Sequence, residues 1–291
     1  MTDPNTPAGP GGGRWSDLDR PPLNATALRR ALVRPGSLWT SLDVVPSTGS
    51  TNSDLAARAA EGLPEGAVLV AEEQSEGRGR LGRTWSAPAR SGIFFSVLLR
   101  PGRDVPTERW GWLPLLTGVA LATALARAAG VDTSLKWPND LLVSVDGEER
   151  KAGGILAERS GDDAVIVGIG LNVSLRESEL PVPTAGSLAL ADAASLDRDP
   201  LLRAVLRTLE QWYGDWRAAG GDPAVSGLQE AYAAGCATLG RRVRAELPGG
   251  RELLGEAVAI DGDGRLVLAT EDGVQMPVSA GDIVHLRVAE A

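Results

Sequence analysis

The 291-residue sequence predicts an α+β protein, with a mixed β-sheet packed against helices and a small closed β-barrel after it. Strand-like apolar runs and helix-like periodic segments follow one another irregularly, with hairpin turns between some strands. Hydrophobic residues make up 43% of the chain and charged residues 23%, which is enough for a sizeable core. Five short strand patterns crowd into residues 236–291, and closing such strands into a barrel removes exposed edges.

Charge and composition exclude several classes of protein. The net charge of −9 disfavours general binding to nucleic acids. The single cysteine, Cys236, precludes an intrachain disulfide and fits a reducing compartment. The uncharged stretch 111–126 contains Pro114 and is shorter than the roughly 20 residues of a membrane span. No basic, apolar leader opens the chain, so we expect a soluble cytoplasmic protein that does not bind membranes.

The first half of the chain predicts a tail and then alternating helices and strands. Residues 1–23 hold five Pro and four Gly, which predicts a disordered tail. Asn24 is expected to cap a short helix that ends at Leu32. The patterns that follow predict strand 42–45, helix 55–60, strand 67–73, strand 93–99 and a buried helix over 110–129 that Gly130 closes.

The second half predicts hairpins, one long helix and the barrel. Strands are expected at 135–137, 141–145, 154–158 and 164–173, with Asp146-Gly147 as a hairpin turn. Asp199 as cap and Pro200 at the first position predict a helix whose apolar residues recur at steps of three and four as far as Trp216. The barrel strands are expected at 241–247, 253–260, 265–270, 274–278 and 283–288. The predicted domains are therefore 24–235 and 236–291.

Lysine is rare in this chain, which uses Arg for almost every positive charge. Of the 29 basic residues, only Lys136 and Lys151 are lysines. A lysine retained in such a chain indicates a place where a compact ammonium is needed and a planar guanidinium would not fit. Chance survival of two lysines is the alternative.

Residues 77–83, which we name the Gly/Arg loop, match the spacing G-x-G-x-x-G. A dinucleotide fingerprint needs its last glycine to open a helix, but Pro88 follows within six residues and opposes one. Three arginines spaced by glycines instead predict a loop that folds over anionic oxygens. A solvated basic turn and an RNA-binding Arg/Gly segment are the alternatives, although such RNA-binding segments are usually repeated and lie on basic chains.

Further polar clusters lie at predicted strand or helix ends. Lys136-Trp137-Pro138-Asn139-Asp140 brings together a lysine, an amide and a carboxylate, which could hold a metal–phosphate group or simply form a β-turn. Lys151 opens a strand beside two glycines, and residues 168–172 end another glycine-containing strand. Residues 50–52 offer three hydrogen-bonding side chains, although Thr51 or Ser53 could simply cap the next helix.

The residues that the chain lacks narrow the chemistry further. The only histidine, His285, falls on a late barrel strand, which excludes Ser-His-Asp and Cys-His catalysis and His-based metal sites. No P-loop motif occurs, because neither lysine follows the required glycine run. Arginines, two lysines and a carboxylate remain, which is the composition of an adenylating site.

Five motifs together closely resemble those of biotin protein ligases, over roughly residues 44–173 and in the same order and spacing. They are Ser50-Thr51-Asn52, Gln74 with the Gly/Arg loop and Trp85, Lys136-Trp137-Pro138-Asn139-Asp140, Lys151-Ala152-Gly153-Gly154-Ile155-Leu156, and Gly170-Leu171-Asn172. Both lysines and three of the five asparagines fall inside these motifs. The C-terminal segment likewise resembles the small SH3-like β-barrel of these enzymes, which makes 24–235 the expected catalytic domain.

The resemblance implies a two-step reaction. Biotin and ATP give biotinyl-5′-AMP and pyrophosphate, and the biotinyl group then passes to one lysine of a biotin carboxyl carrier domain of an acyl-CoA carboxylase. ATP and biotin are thus expected as substrates, with Mg²⁺ as cofactor. Relatives that act as repressors carry an N-terminal DNA-binding domain, and the short segment before the first motif predicts a monofunctional ligase without DNA binding.

The resemblance also implies residue roles. Lys151, Arg78 and Arg80 are the expected catalytic residues, and the expected biotin-binding residues are Ser50, Thr51, Asn52, Gln74, Arg78, Gly79, Arg80 and Lys151. The expected ATP- and phosphate-binding residues are Arg80, Arg83, Lys136, Asn139, Asp140 and Asn172. Asp140 is the expected Mg²⁺ ligand, and Trp137 is expected to line the apolar slot for biotin.

Some features leave alternatives open. Leu81 stands where several relatives carry another Arg, so the retention of the adenylate can differ here. A lipoate ligase or octanoyltransferase of the same superfamily is the nearest alternative enzyme, although His285 and Cys236 lie outside the expected catalytic motifs. A non-catalytic binding module is the alternative from another class. The oligomeric state is not determined by the sequence, and a homodimer is among the options.

Overall fold

The computed structural model describes residues 19–247, 251–279 and 282–285. Most of the predicted tail, residues 1–18, lies outside this part of the chain. The prediction of disorder is wrong for residues 19–23, because they pack against the body of the protein. Arg20 donates a hydrogen bond to the carbonyl of Ser174 at 2.9 Å, and the Leu23 N–H donates to the Glu72 carboxylate at 2.6 Å.

Five α-helices occur in the described residues: α1 (Ala25–Leu32), α2 (Thr51–Ala60), α3 (Trp112–Ala128), α4 (Arg198–Ala218) and α5 (Leu228–Gly235). Asn24 caps α1 as predicted, since its side chain accepts a hydrogen bond from the Ala27 N–H. The predicted cap of α4 is wrong by two residues: Asp197 is the cap and accepts from the Asp199 N–H at 3.1 Å. Pro200 is therefore the third helical residue, where no intrahelical N–H bond is lost.

The strands form two sheets and are bounded as follows: β1 (Ser41–Val45), β2 (Ala67–Ala71), β3 (Gly92–Leu99), β4 (Thr133–Lys136), β5 (Asp140–Val145), β6 (Glu148–Ser160), β7 (Ala164–Asn172), β8 (Arg242–Leu247), β9 (Arg251–Ile260), β10 (Leu266–Ala269), β11 (Gln275–Val278) and β12 (Asp282–His285). The first sheet has the order β1-β2-β3-β7-β6-β5-β4. Only β1 and β2 are parallel, so the sheet is mixed, as predicted. Asp146 and Gly147 both have positive φ, which confirms the predicted hairpin turn.

Strand β7 shows how the two faces of this sheet differ. Its residues Val165, Val167, Ile169 and Leu171 belong to the main core, which includes residues of α3 and α4. Ala164 and Ile166 alternate with them and belong to the smaller apolar cluster that includes Leu55 and Ala59 of α2. Gly168 and Gly170 continue this second face, so β7 itself presents no side chain there; together with Gly154, which pairs with Gly170, they form what we name the glycine face.

Helix α3 is the predicted buried helix. The segment Thr107–Ala128 is long and apolar enough to cross a membrane, yet 61% of its most apolar window is buried inside the protein. It packs against α4 and α5 and against strands of the sheet. Such burial is that of a core helix.

The second sheet is antiparallel, has the order β11-β10-β9-β8-β12, and contains all five strands predicted for the barrel. It lies directly on the first unit. The indole N–H groups of Trp112 and Trp137 donate to the carbonyls of Gly262 and Gly264, at 2.9 and 3.0 Å. One apolar cluster runs from the first sheet into this one, so the two parts share a core. Of the last predicted strand, residues 286–288 lie outside the described chain.

Candidate active site

A cleft lined by many polar side chains lies over the glycine face of the first sheet, beside the N-terminus of α2. Its lining residues come from five separate segments, and the functional side chains among them are Ser50, Thr51, Asn52, Gln74, Arg78, Arg80, Arg83, Trp85, Asn139, Asp140 and Lys151. Gly79 also lines the cleft. The structure therefore brings together every predicted site residue except Lys136, Trp137 and Asn172.

The first turn of α2 supplies one wall of the cleft. The Ser50 side chain caps this helix by accepting from the Ser53 N–H, so the cap is Ser50 and neither Thr51 nor Ser53. The Thr51 N–H and hydroxyl both donate to the Gln74 side-chain oxygen, at 2.9 and 3.1 Å. Because hydrogen bonds hold both Thr51 and the Gln74 side chain, this polar wall is ordered without a ligand.

Asn52 lies deepest in the wall and is only 4% exposed. Its amide N–H donates to the Glu158 carboxylate at 2.8 Å, and its amide oxygen lies 2.6 Å from the Ser96 hydroxyl. The same hydroxyl is 2.7 Å from Oγ1 of Thr51. A buried polar network with all its groups paired holds its members in one arrangement, which suits recognition of a small, neutral polar group.

The Gly/Arg loop also lines the cleft and contains no α-helix, which confirms that it is not a dinucleotide fingerprint. The loop returns on itself through hydrogen bonds from the Gly79 N–H to the Arg83 carbonyl and from the Trp85 N–H to the Gly77 carbonyl. Arg78 pairs with Glu158 at 2.8 Å. Arg80 donates to the Asn139 side-chain oxygen at 3.2 Å. The guanidinium groups are therefore held at the cleft by partners on the sheet side.

Lys151 and Asp140 form an ion pair in the cleft, with 2.6 Å between Nζ and Oδ1. The Lys151 ammonium also lies 5.7 Å from the ring centroid of Trp85. That ring packs on the glycine face: a Cβ at Gly154 or Gly170 would come within 3.0 or 2.6 Å of it. The glycines at these positions are thus required for the close packing of Trp85.

Three residues expected in the site lie elsewhere. The Asn172 amide donates to the Gly186 carbonyl at 2.9 Å and is buried, so it fixes the loop after β7. Lys136 does not line the cleft, and its charge acts on His285 and Glu149 near the second sheet. Trp137 does not line this cleft, and its indole donates to the Gly264 carbonyl, so its place in a biotin slot stays a prediction.

Sequence reasoning missed two polar residues, Ser96 and Glu158, that hold the side chains of the site. Ser96 is fully buried and is the one polar residue in the apolar run of β3, a signal that could have been noticed. Glu158 joins Arg78 to Asn52 through its two carboxylate oxygens. No local pattern distinguishes it, because its partners lie 80 and 106 residues away along the chain.

The described residues hold no group of three His, Cys, Asp or Glu side chains that could bind a metal. Among the residues that line the cleft, Asp140 is the only carboxylate, and the Asn139 amide oxygen lies on the same turn. Mg²⁺ accepts such oxygens but usually completes its shell with water and substrate phosphates. The cleft therefore fits a Mg²⁺ ion that arrives with a nucleotide and does not fit a metal held by protein ligands alone.

Comparison with family models assigns both units. The model described as "Biotin/lipoate A/B protein ligase family" matches residues 44–174, and "Biotin protein ligase C terminal domain" matches residues 238–286. The first match contains all five motifs and the whole cleft. The second contains most of the C-terminal sheet.

Individual proteins agree with these matches. The biotin–[acetyl-CoA-carboxylase] ligase of Mycobacterium tuberculosis is 46% identical over 275 residues, which are 93% of this chain and 98% of that protein. The bifunctional ligase/repressor BirA of Escherichia coli is 32% identical over 86% of this chain and 75% of its own length. A solved Aquifex aeolicus biotin protein ligase, in complex with biotin and ATP, superposes with a TM-score of 0.69 and 28% identity, covering 86% of this chain and all of that one. The chain belongs to the biotin protein ligase family.

Proposed function

We propose that this ligase carries out both steps of its reaction at the cleft beside Lys151: it activates biotin as biotinyl-5′-AMP and then transfers the biotinyl group to a lysine. The observation that carries this proposal is the arrangement of Arg78, Arg80, Arg83 and Lys151 around one cleft whose other wall is neutral and hydrogen-bonding. The neutral wall suits an uncharged urea ring, and the cations suit a carboxylate and phosphates.

The neutral wall is the proposed site for the ureido ring of biotin. Ser50, Thr51, Asn52 and Gln74 offer the donors and acceptors. Thr51 is held by Gln74 and Ser96, and Asn52 is held by Ser96 and Glu158. A buried ureido N–H or C=O without a partner would be costly, so these contacts favour biotin over an acid that lacks the ring. The apolar remainder of biotin would lie along the glycine face of the sheet.

The cationic side is the proposed site of adenylation. A biotin carboxylate oxygen attacks the α-phosphorus of ATP, the bond to the bridging oxygen breaks, and pyrophosphate leaves with both electrons of that bond. Lys151 and Arg80, which both line the cleft, would stabilise the charge that develops on the phosphoryl oxygens. Asp140 orients the Lys151 ammonium through its ion pair. No covalent intermediate with the enzyme is needed, since proximity and charge supply the acceleration.

Mg²⁺ would be held by Asp140 and the Asn139 amide oxygen together with the phosphates. The ion neutralises charge on the phosphates and on the departing pyrophosphate when it is bound. Asp140 would then exchange part of its contact with Lys151 for the metal. The assignments of Lys136 and Asn172 to ATP stay predictions, and neither residue lines the cleft.

The acceptor in the second step is the lysine of a biotin carboxyl carrier domain. Its neutral amine attacks the biotinyl carbonyl and the bond to the phosphate oxygen breaks. AMP leaves with that electron pair, the nitrogen releases a proton to solvent, and an amide bond forms. Closure of the Gly/Arg loop over the adenylate would keep water from hydrolysing the mixed anhydride. The chain's single cysteine and charge of −9 support a cytoplasmic enzyme that acts without binding DNA.

The first test is biotin-dependent exchange of labelled pyrophosphate into ATP by wild-type protein and by Lys151→Ala. We expect exchange with biotin and not with lipoate, and a loss of at least about 100-fold in kcat/KM in the variant, because a phosphoryl-contacting cation is removed. Arg242→Ala is the matched control, since it also removes one positive charge but lies in an exposed pair on the second sheet.

Other outcomes would contradict the proposal in distinct ways. Exchange with lipoate in place of biotin would make the protein a lipoate ligase. If folded protein exchanges pyrophosphate with neither acid, the ligase function is overturned and a non-catalytic binding module remains. Full activity in Lys151→Ala would remove Lys151 from the chemistry while leaving the ligase function standing.

A further inference from the structure

The 136–140 turn, which carries Asn139 and Asp140 into the cleft, is attached to the C-terminal unit at its opposite end. The Trp137 N–H donates to the Thr238 hydroxyl oxygen at 3.1 Å. The Trp137 indole donates to Gly264 at 3.0 Å, and the Ala237 N–H donates to the Leu135 carbonyl at 2.8 Å. Trp137 is 2% exposed, so these contacts are shielded from water.

Thr238 is fully buried and is itself held by a chain of polar groups from the second sheet. Its hydroxyl lies 3.1 Å from Nε2 of His285, and Nδ1 of His285 lies 3.1 Å from the Arg241 guanidinium. Arg241 forms a two-bond ion pair with Glu149, at 2.6 and 2.7 Å. This hydrogen-bonded chain therefore runs from Glu149 on β6, through Arg241, His285 and Thr238, to the backbone N–H of Trp137.

The donor and acceptor roles in this hydrogen-bonded chain follow from the chemistry of its side chains. A guanidinium only donates, so Nδ1 of His285 must accept from Arg241. The neutral imidazole then carries its proton on Nε2 and donates it to Thr238. The Thr238 oxygen accepts from both Trp137 and His285, which uses both of its acceptor positions and fixes its place. Thr238 is thus an oriented acceptor for the turn.

The other end of the turn contacts the cations of the cleft. Asn139 accepts from Arg80 and donates to the Ile155 carbonyl at 3.0 Å, and Asp140 pairs with Lys151. By contrast, the hydrogen bonds of Ser50, Thr51, Asn52 and Gln74 given above all come from α2 and the first sheet. The C-terminal unit therefore holds the turn that contacts Arg80 and Lys151, and within its described residues no hydrogen bond reaches Ser50, Thr51, Asn52 or Gln74.

We propose that Thr238 is a positioning residue for the nucleotide side of the active site: through Trp137 it sets the position of Asn139 and Asp140, and through them that of Arg80 and Lys151. This inference rests on the proposed function for its kinetic consequence. Loss of the Thr238 hydroxyl should weaken the use of ATP and leave the binding of biotin nearly unchanged.

The kinetic test compares Thr238→Val, which keeps the shape and removes the hydroxyl, with Thr238→Ser, which keeps the hydroxyl. We expect Thr238→Val to raise the KM for ATP about tenfold in pyrophosphate exchange, because a buried N–H loses its acceptor. The dissociation constant for biotin, measured by calorimetry, should stay within about twofold in Thr238→Val, and Thr238→Ser should keep the wild-type KM for ATP. Thr270→Val is the matched control, since that hydroxyl bonds only within an exposed turn of the second sheet.

A second measurement does not depend on activity. Hydrogen–deuterium exchange of the full chain should become faster in the peptide that covers residues 136–140 of Thr238→Val and stay unchanged over residues 50–52. If Thr238→Val does not fold, His285→Leu tests the same hydrogen-bonded chain, because it removes the donor that orients the Thr238 hydroxyl.

The possible results separate the two proposals. Wild-type protein without exchange activity would overturn the ligase function, while the deuterium exchange would still decide the role of Thr238. Equal losses for ATP and biotin, or a Thr238→Ser variant as impaired as Thr238→Val, would overturn the positioning role. Unchanged deuterium exchange over residues 136–140 would overturn it as well.

Discussion

Gly168 and Asn52 show at the scale of single residues how the site depends on missing side chains. A Cβ at Gly168 would lie 2.0 Å from the Asn52 amide oxygen, well inside contact distance. Asn52 cannot yield easily, since its amide is held by Ser96, Glu158 and the Leu156 carbonyl. The glycine is therefore required by a neighbour, and its own backbone needs no special conformation.

We expect Gly168→Ala to lower the affinity for biotin at least about tenfold, because displacing Asn52 breaks buried hydrogen bonds on the neutral wall. Titration calorimetry with biotin measures this directly. Gly214→Ala is the control: it lies in α4, where a Cβ meets no atom within 4 Å, and should stabilise the helix by up to about 1 kcal/mol. Wild-type biotin affinity in Gly168→Ala would contradict the role given to Asn52.

At the scale of elements, one buried ion pair fastens the start of α4 to the end of β2. Arg198 lies 2.6 Å from Glu72, and their side chains are 6% and 8% exposed. Arg198 also donates to the carbonyls of Gly92 and Pro21, and Glu72 accepts from the Leu23 N–H. This network explains why residues 19–23 are ordered despite their proline content.

Breaking this pair by Glu72→Gln or Arg198→Met should lower the free energy of unfolding by about 3–5 kcal/mol, because the remaining charge stays buried without its partner. Urea denaturation of each variant measures the change, and the double variant should lose less than the sum of the two. The exposed pair Arg242–Glu271 provides the comparison: Glu271→Gln should change stability by less than about 1 kcal/mol. A small loss from Glu72→Gln would show that this network is dispensable.

At the scale of the whole molecule, the shared core joins the ligase unit to the C-terminal sheet. The main apolar cluster includes Val119 of α3 and Val243 of β8, and the Arg241–Glu149 pair bridges the two units. We expect them to unfold in one cooperative transition, since neither can expose its part of the core alone. His285 lies at this junction, between Thr238 and Arg241, so its protonation changes the stability of the joined units.

Burial and the nearby charges of Lys136 and Arg241 lower the pKa of His285 from 6.5 to about 4, against an opposing effect of Glu149. The unfolded chain therefore binds a proton at a higher pH than the folded chain, and His285 makes stability fall as the pH drops from about 6.5 to about 4. Thermal unfolding across this range should show the fall, and His285→Gln should flatten it. An unchanged slope in the variant would assign the pH dependence to carboxylates.

Local patterns in the sequence were sufficient for most elements. Cap residues, period-two alternation, glycine stops and the Asp146-Gly147 turn act over a few residues, so α1 and most strands lie close to their predicted bounds. The exception is β6, which begins at Glu148, six residues before its predicted start. Helix α5 was missed, because its alanine-rich segment buries only Leu228 and Tyr232 and offers no side-chain cap. The cap of α4 was predicted at Asp199 and lies at Asp197, because either carboxylate could cap the helix and only the folded backbone selects one.

The sequence by itself determined the motifs, their order and the family resemblance, because each motif is a short run with a distinctive composition. Only the tertiary structure decided which of these residues meet. Strand register brings Lys151 beside Asp140 and puts Trp137 in contact with the C-terminal sheet, and long-range packing recruits Ser96, Glu158 and Thr238. The physical reason is that a one-residue change of register exchanges the faces of a strand, and no local pattern records the partner that fixes it.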